Sequence, residues 1–135
     1  MEPLKIEPGK DSPQIEFDPK NDRYQLKGIC HPENVKTVFE PVFEWLDRYY
    51  ENLNSNAGIK MPVHFFYKYI NSSSVKHHYN LLKKLSLFYK KGINIEVIWN
   101  YTEDDDDMKE IGNELSQLGQ INIPFRFVSW PEDSF

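Results

Sequence analysis

The spacing of apolar positions divides the chain into segments of two periods. QIEFDP (14–19) alternates apolar and polar residues, the pattern of a half-buried strand. NDRYQLKGI (21–29) starts with turn-forming residues and alternates again, so the two segments read as a β-hairpin turning near Pro19 to Asp22. The period then changes. In HPENVKTVFEPVFEWLDRYYENLN (31–54), Val35, Val38, Phe39, Val42, Phe43, Leu46, Tyr49 and Tyr50 recur at intervals of three and four, which predicts an amphipathic helix. Pro32 suits its first turn, where a missing N–H costs nothing. Pro41 falls inside the pattern and is expected to kink the helix or mark a break near its start. NSNAG (54–58) ends it with residues that tolerate a left-handed backbone.

The second half repeats the alternation of strand and helix. MPVHFFYKYI (61–70) is aromatic and β-branched, a third strand. SSSVKHHYNLLKKLSLFYKKG (72–92) is a second helix, with Val75, Tyr79, Leu82, Leu85 and Phe88 or Tyr89 on one face and Gly92 at its close. INIEVIWNY (93–101) alternates as a fourth strand. EDDDDMKEIGNELSQLG (103–119) opens with acids and ends with glycine, as a helix obeying its macrodipole should. PFRFVSW (124–130) is a fifth strand. The expected fold is therefore a single α/β domain over 14–130 with order β-β-α-β-α-β-α-β. Its sheet is mixed, because strand–helix–strand units demand parallel pairing and the hairpin adds an antiparallel pair, and its helices lie mainly on one side. Residues 1–13, with three prolines and several charges, read as a flexible tail, and 131–135 as a frayed end.

Composition narrows the function. A chain of 135 residues fits one domain with a real core, and the 15% aromatic content argues for a globular chain. A net charge of −5 argues against general nucleic-acid or anionic-membrane binding, since no basic surplus exists to neutralise phosphates. No apolar run is long enough to span a membrane, and the N-terminus has no signal-peptide core. Cys30 is the single cysteine, so no internal disulfide forms and a structural zinc site has little to build on. A cytoplasmic protein is the simplest reading.

Two polar runs remain. Ser72, Ser73 and Ser74 follow Asn71 where a strand hands over to a helix. On residue types alone the run favours helix capping, because Asn and Ser are preferred caps; an exposed helix N-terminus also accepts negative charge, so a modified hydroxyl is compatible. Lys76, four residues after Ser72, is within reach of a phosphate there. The acids Glu103, Asp104, Asp105, Asp106 and Asp107 read first as a solvated helix start. A metal site is the weaker alternative, since consecutive residues on a helix do not converge on one ion; an acidic contact surface is the third. No metal and no cofactor is expected. His77 and His78 are neighbours and point apart, and His31, His64 and the tryptophans Trp45, Trp99 and Trp130 read as surface or packing residues. No G-x-S-x-G elbow, P-loop or G-x-G-x-x-G occurs, which leaves a small serine hydrolase as a runner-up and a plain interaction scaffold as a third class.

SPQIEFDP, HPENVKTVFEPVFEWLDRY, YINSSSVK and IWNYTEDDDDMKEIG, in this order and spacing from about residue 12 to 130, resemble the SiaC-type regulatory phosphoproteins, a small bacterial family with a STAS-like fold. The resemblance implies a non-enzymatic phospho-switch. Its partners would be a cognate kinase, a PPM-type phosphatase and an effector diguanylate cyclase, bound and activated by the unphosphorylated form. It places the switch hydroxyl directly after the asparagine, at Ser72, with Ser73 and Ser74 as the fallbacks. Asn71 would shape the turn, Lys76 would steady the phosphate, and Glu103 to Asp107 would help dock the partner. One departure stands out: after Gly28 this chain carries Ile29 and Cys30 where such proteins usually carry a polar residue or arginine, which bears on partner identity if that edge is touched.

Overall fold

The computed structural model describes residues 1–53, 58–119 and 121–135. Its elements are β1 (Leu4–Ile6), β2 (Gln14–Asp18), β3 (Arg23–Cys30), α1 (Val35–Glu51), β4 (Lys60–Ile70), α2 (Ser72–Lys90), β5 (Asn94–Thr102), α3 (Asp106–Ser116) and β6 (Phe125–Trp130). The strands form one six-stranded sheet ordered as in the chain, β1 to β6. The β1–β2 and β2–β3 pairs are antiparallel, and β3 to β6 are parallel. Each parallel step moves in the same direction across the sheet. Right-handed crossovers must then place every helix on the same face.

Side chains agree. Phe17, Tyr24, Val63 and Val97 are register partners in turn and therefore share a face, as do Leu26, Phe65 and Trp99. All seven are buried. On that face Phe17 meets Trp45 of α1, Phe65 meets His78 of α2, and the Trp99 indole donates to the Met108 carbonyl of α3 at 2.9 Å. Among the described residues the other face carries no helix. Asn100 is buried there by its own hydrogen bonds, accepting from Trp130 Nε1 at 2.9 Å and donating to the Phe65 carbonyl at 3.1 Å.

Several boundaries differ from the sequence reading. The proline-rich start contributes β1, which pairs Leu4 with Phe17 and Ile6 with Ile15. Two half-buried apolar residues and an open strand edge suffice for a three-residue strand. The hairpin turn is a short 3-10 helix, Pro19–Asn21, closed by Asp22 at φ 50°. Helix α1 starts at Val35, because Asn34 accepts from the Thr37 N–H and caps it; Pro32 therefore precedes the helix. Pro41 is accommodated within α1 without a break. Of the NSNAG segment, residues 54–57 lie outside the described residues, and Gly58 is left-handed at φ 76°. Helix α3 is shorter than its charge pattern suggested: Asp105 is the cap, so Glu103 and Asp104 precede it, and it ends at Ser116. At the far end the Phe135 ring lies edge-on to Phe66, 5.4 Å between centroids, on the helix-free face.

Candidate functional site

All four parallel strands end at one edge of the sheet, where loops leave for the helices. The β4–α2 connection there is a single residue. Asn71 has an extended backbone, its side-chain oxygen accepts from the Ser74 N–H at 3.0 Å, and its own N–H donates to the Cys30 carbonyl of β3 at 3.1 Å. Asparagine thus caps the helix, and the serines do not. Ser72 and Ser73 are exposed, whereas Ser74 is fully buried. Burial takes Ser74 out of reach of a modifying enzyme, which leaves Ser72 and Ser73 as accessible hydroxyls. Lys76 is exposed one turn further along α2.

A buried polar chain fastens the first turn of α2 from below. The carbonyl of Ser74 only accepts, so His78 Nδ1 carries the proton that it receives, at 2.6 Å. His78 Nε2 is then an acceptor, and the Tyr67 hydroxyl of β4 donates to it at 2.5 Å. Burial drives the His78 pKa down to about 4, so the ring stays neutral. Burial likewise pushes the Cys30 thiol up to about 11 and raises Tyr67 well above its ordinary value, with the neighbouring Cys30 adding to the latter. The Ser74 hydroxyl is buried without a hydrogen-bond partner at normal distance and has the Cys30 thiol as its neighbour. This arrangement supplies no base to a serine nucleophile. Both His78 nitrogens are occupied, and His77 Nδ1 faces the Ser73 carbonyl at 3.2 Å rather than a hydroxyl.

The acidic run lies at the next loop along the same edge. The Asp105 carboxylate accepts from the Met108 N–H at 3.0 Å, while Glu103, Asp104, Asp106 and Asp107 are exposed. Among the described residues no group of three or more His, Cys, Asp or Glu side chains could hold a metal ion. Between α3 and the end of β4 lies an open cavity of about 430 Å³, with Tyr69, Ile70, Asp105, Asp107, Glu110 and Glu114 in its walls. It therefore joins the acidic helix to the strand that leads into Ser72. The chain reading missed Tyr69, Glu110 and Glu114. The carboxylates were legible as an i, i+3, i+7 stripe with Asp107. Tyr69 was not, because its exposure comes from a register shift: Gly28 pairs with Tyr67 but Ile29 pairs with Tyr69, so Lys68 is an extra residue on β4. Gly28 at φ 111° permits the shift, after which Ile70 is buried and Tyr69 is 51% exposed, its ring edge-on to His31. Ile29, the departure noted above, is exposed at the same edge.

A one-sided sheet with the exposed Ser72 and Ser73 hydroxyls and the exposed acidic run at one end of its parallel strands defines a small α/β domain. The chain belongs to the SiaC family of regulatory phosphoproteins, whose family model matches residues 6–130, which makes it a regulatory protein rather than an enzyme. It is similar to an uncharacterised protein of Pseudomonas aeruginosa strain UCBPP-PA14, 23% identical over 125 residues that cover 93% of this chain and 94% of that one. In fold it is similar to apo-SiaC from Pseudomonas aeruginosa, with a TM-score of 0.80 at 23% identity over 95% of this chain and 99% of that one. The same TM-score of 0.80, at 24% identity over 94% and 99% of the two chains, relates it to a crystal structure of the diguanylate cyclase SiaD in complex with its activator SiaC, also from Pseudomonas aeruginosa. No described helix is long and apolar enough to cross a membrane.

Proposed function

We propose that this protein is a STAS-like phospho-switch acting in the cytoplasm. Its unphosphorylated form binds and activates a diguanylate cyclase, and phosphate on Ser72 releases it. A cognate kinase adds the phosphate and a PPM-type phosphatase removes it. The observation that carries the reading is the division of labour at the β4–α2 connection. Asn71 does the capping, so the exposed Ser72 hydroxyl is free to be modified without unravelling the helix. The first N–H groups of α2 are unpaired within the helix and favour an anion there. A phosphoserine brings a charge of about −1.5 to −2 and three acceptor oxygens. The helix dipole contributes about 0.3–1 kcal/mol in its favour, so the fold tolerates the modification.

The effect falls on docking. An effector that packs over the Ser72 loop and the Glu103–Asp107 turn would have to bury a dianion on a chain that is already negative. Desolvating it without a dedicated cation costs about several kcal/mol, and about 2.8 kcal/mol is already a hundredfold in affinity. Lys76 steadies the phosphate on this protein's own surface and so holds it in the free state. Ser73 is the fallback acceptor. The test is a titration of the effector cyclase with unmodified, stoichiometrically phosphorylated and Ser72→Asp protein. Binding should be tight, lost and partly weakened, respectively. Equal or tighter binding by the phosphorylated form overturns the direction of the switch, and full labelling of Ser72→Ala protein by the kinase overturns the site.

A further inference from the structure

We propose that the groove between α3 and the end of β4 is a docking site for a basic, partly apolar segment of the phosphatase that acts on phosphorylated Ser72. The proposal rests on the switch reading for the identity of the modified residue, and on the groove's own geometry for the chemistry of its occupant. Asp107, Glu110 and Glu114 recur at three and four residues, so they form one stripe along α3, and all are exposed. None of the three makes an ion pair with a described residue. The floor beneath them is apolar: Met108 and Ile70 are buried, and the exposed Tyr69 ring forms the opposite wall. Lys68 is the one basic residue in the lining, against the four carboxylates of Asp105, Asp107, Glu110 and Glu114, so the wall stays predominantly acidic. Over an apolar floor it is complementary to a segment with basic and aliphatic residues on one side.

Charge decides which partner that is. Ile70 lines the groove two residues before Ser72, a chain span of at most about 7 Å, so a phosphate on Ser72 adds negative potential to that end of the groove on the scale of the Debye length of about 8 Å at physiological salt. That potential strengthens the hold on a basic segment. A partner that must leave on phosphorylation is poorly served by such a site, whereas an enzyme whose substrate is the phosphorylated form gains from it. The carboxylates of α3 beyond Asp107 are then separable from the turn that faces the effector.

The probe is a synthetic amphipathic leucine–lysine peptide, titrated calorimetrically into three proteins: wild type, Glu110→Lys/Glu114→Lys, and Glu40→Lys/Glu44→Lys. The last pair is exposed on α1 at the same spacing and controls for net charge. The groove variant should bind about tenfold more weakly than wild type and the α1 variant nearly as well as wild type; equal loss in both variants overturns the groove. The second readout is dephosphorylation of Ser72-phosphorylated protein by its PPM-type phosphatase. The groove variant should raise KM at unchanged kcat, and an unchanged KM overturns the assignment to that enzyme. If Ser72 never carries phosphate, the switch reading fails, while the peptide titration still judges the groove.

Discussion

The position of α3, and with it the acidic wall of the groove, depends on Gly112. A Cβ at this residue would stand 2.5 Å from Nε1 and 2.7 Å from Cγ of Trp99, and closer still to Cδ1. Real Cβ atoms do not approach so closely, and the indole cannot retreat: it is buried against Phe65 and donates to the Met108 carbonyl at 2.9 Å. Gly112→Ala therefore pushes α3 off the sheet. Overpacking of this kind costs about 1–3 kcal/mol, and straining the indole hydrogen bond adds about 1 kcal/mol. Against this, alanine is the better helix former by about 1 kcal/mol. The net expectation is a loss of about 2 kcal/mol, read as a lower urea midpoint at unchanged m-value and a thermal midpoint lowered by about 6 °C. The sign is diagnostic. Without the close approach, alanine would stabilise the helix, so a variant as stable as wild type refutes the packing. The same variant should bind the effector less well, because Asp105 to Asp107 move with the helix.

Asn71→Ala should cost about 1 kcal/mol, the value of a lost cap, whereas Ser72→Ala should change stability by less than about 0.5 kcal/mol, since its hydroxyl caps nothing; denaturation of the pair separates the two roles. Asp104→Asn/Asp105→Asn should keep α3 folded, because asparagine caps as well as aspartate, yet weaken effector binding. Calorimetric titration of wild type with Mg²⁺ and Ca²⁺ should show no tight site, and a micromolar dissociation constant lost in that variant would reverse the reading of the acids as a contact surface. His78 makes stability pH-dependent. Its pKa is about 4 when folded, against an ordinary value of about 6.5, so the unfolded chain binds the extra proton between these limits. Stability contributed by the neutral ring is complete above about pH 6.5 and is lost as pH falls toward 4, by about 3 kcal/mol in all. His78→Phe should flatten that slope by about one proton. His64, also lowered by burial first, has the same sign and persists in the variant; a slope unaltered by the substitution would show that His78 is not the group responsible.

Periodicity alone set the element order from β2 to β6, because burial on one face writes a period of two or near 3.6 directly into the residue types. Motif spacing likewise carried the family. The ends of elements were less legible. Asn34 and Asp105 cap their helices at positions that charge and proline patterns alone placed inside them, since a cap is decided by which side-chain oxygen meets a free N–H. Strand β1 has too few residues to show a period and exists because β2 offers it an edge. The run of serines looks uniform in sequence. Only packing distinguishes the buried Ser74, held over Cys30 and His78, from the open Ser72 and Ser73. Tyr69 and the groove depend on the register shift opposite Gly28, and the α3 wall depends on how closely Gly112 lets a helix approach Trp99. Both are relations between segments far apart in the chain, and no local pattern of residues encodes the distance between them.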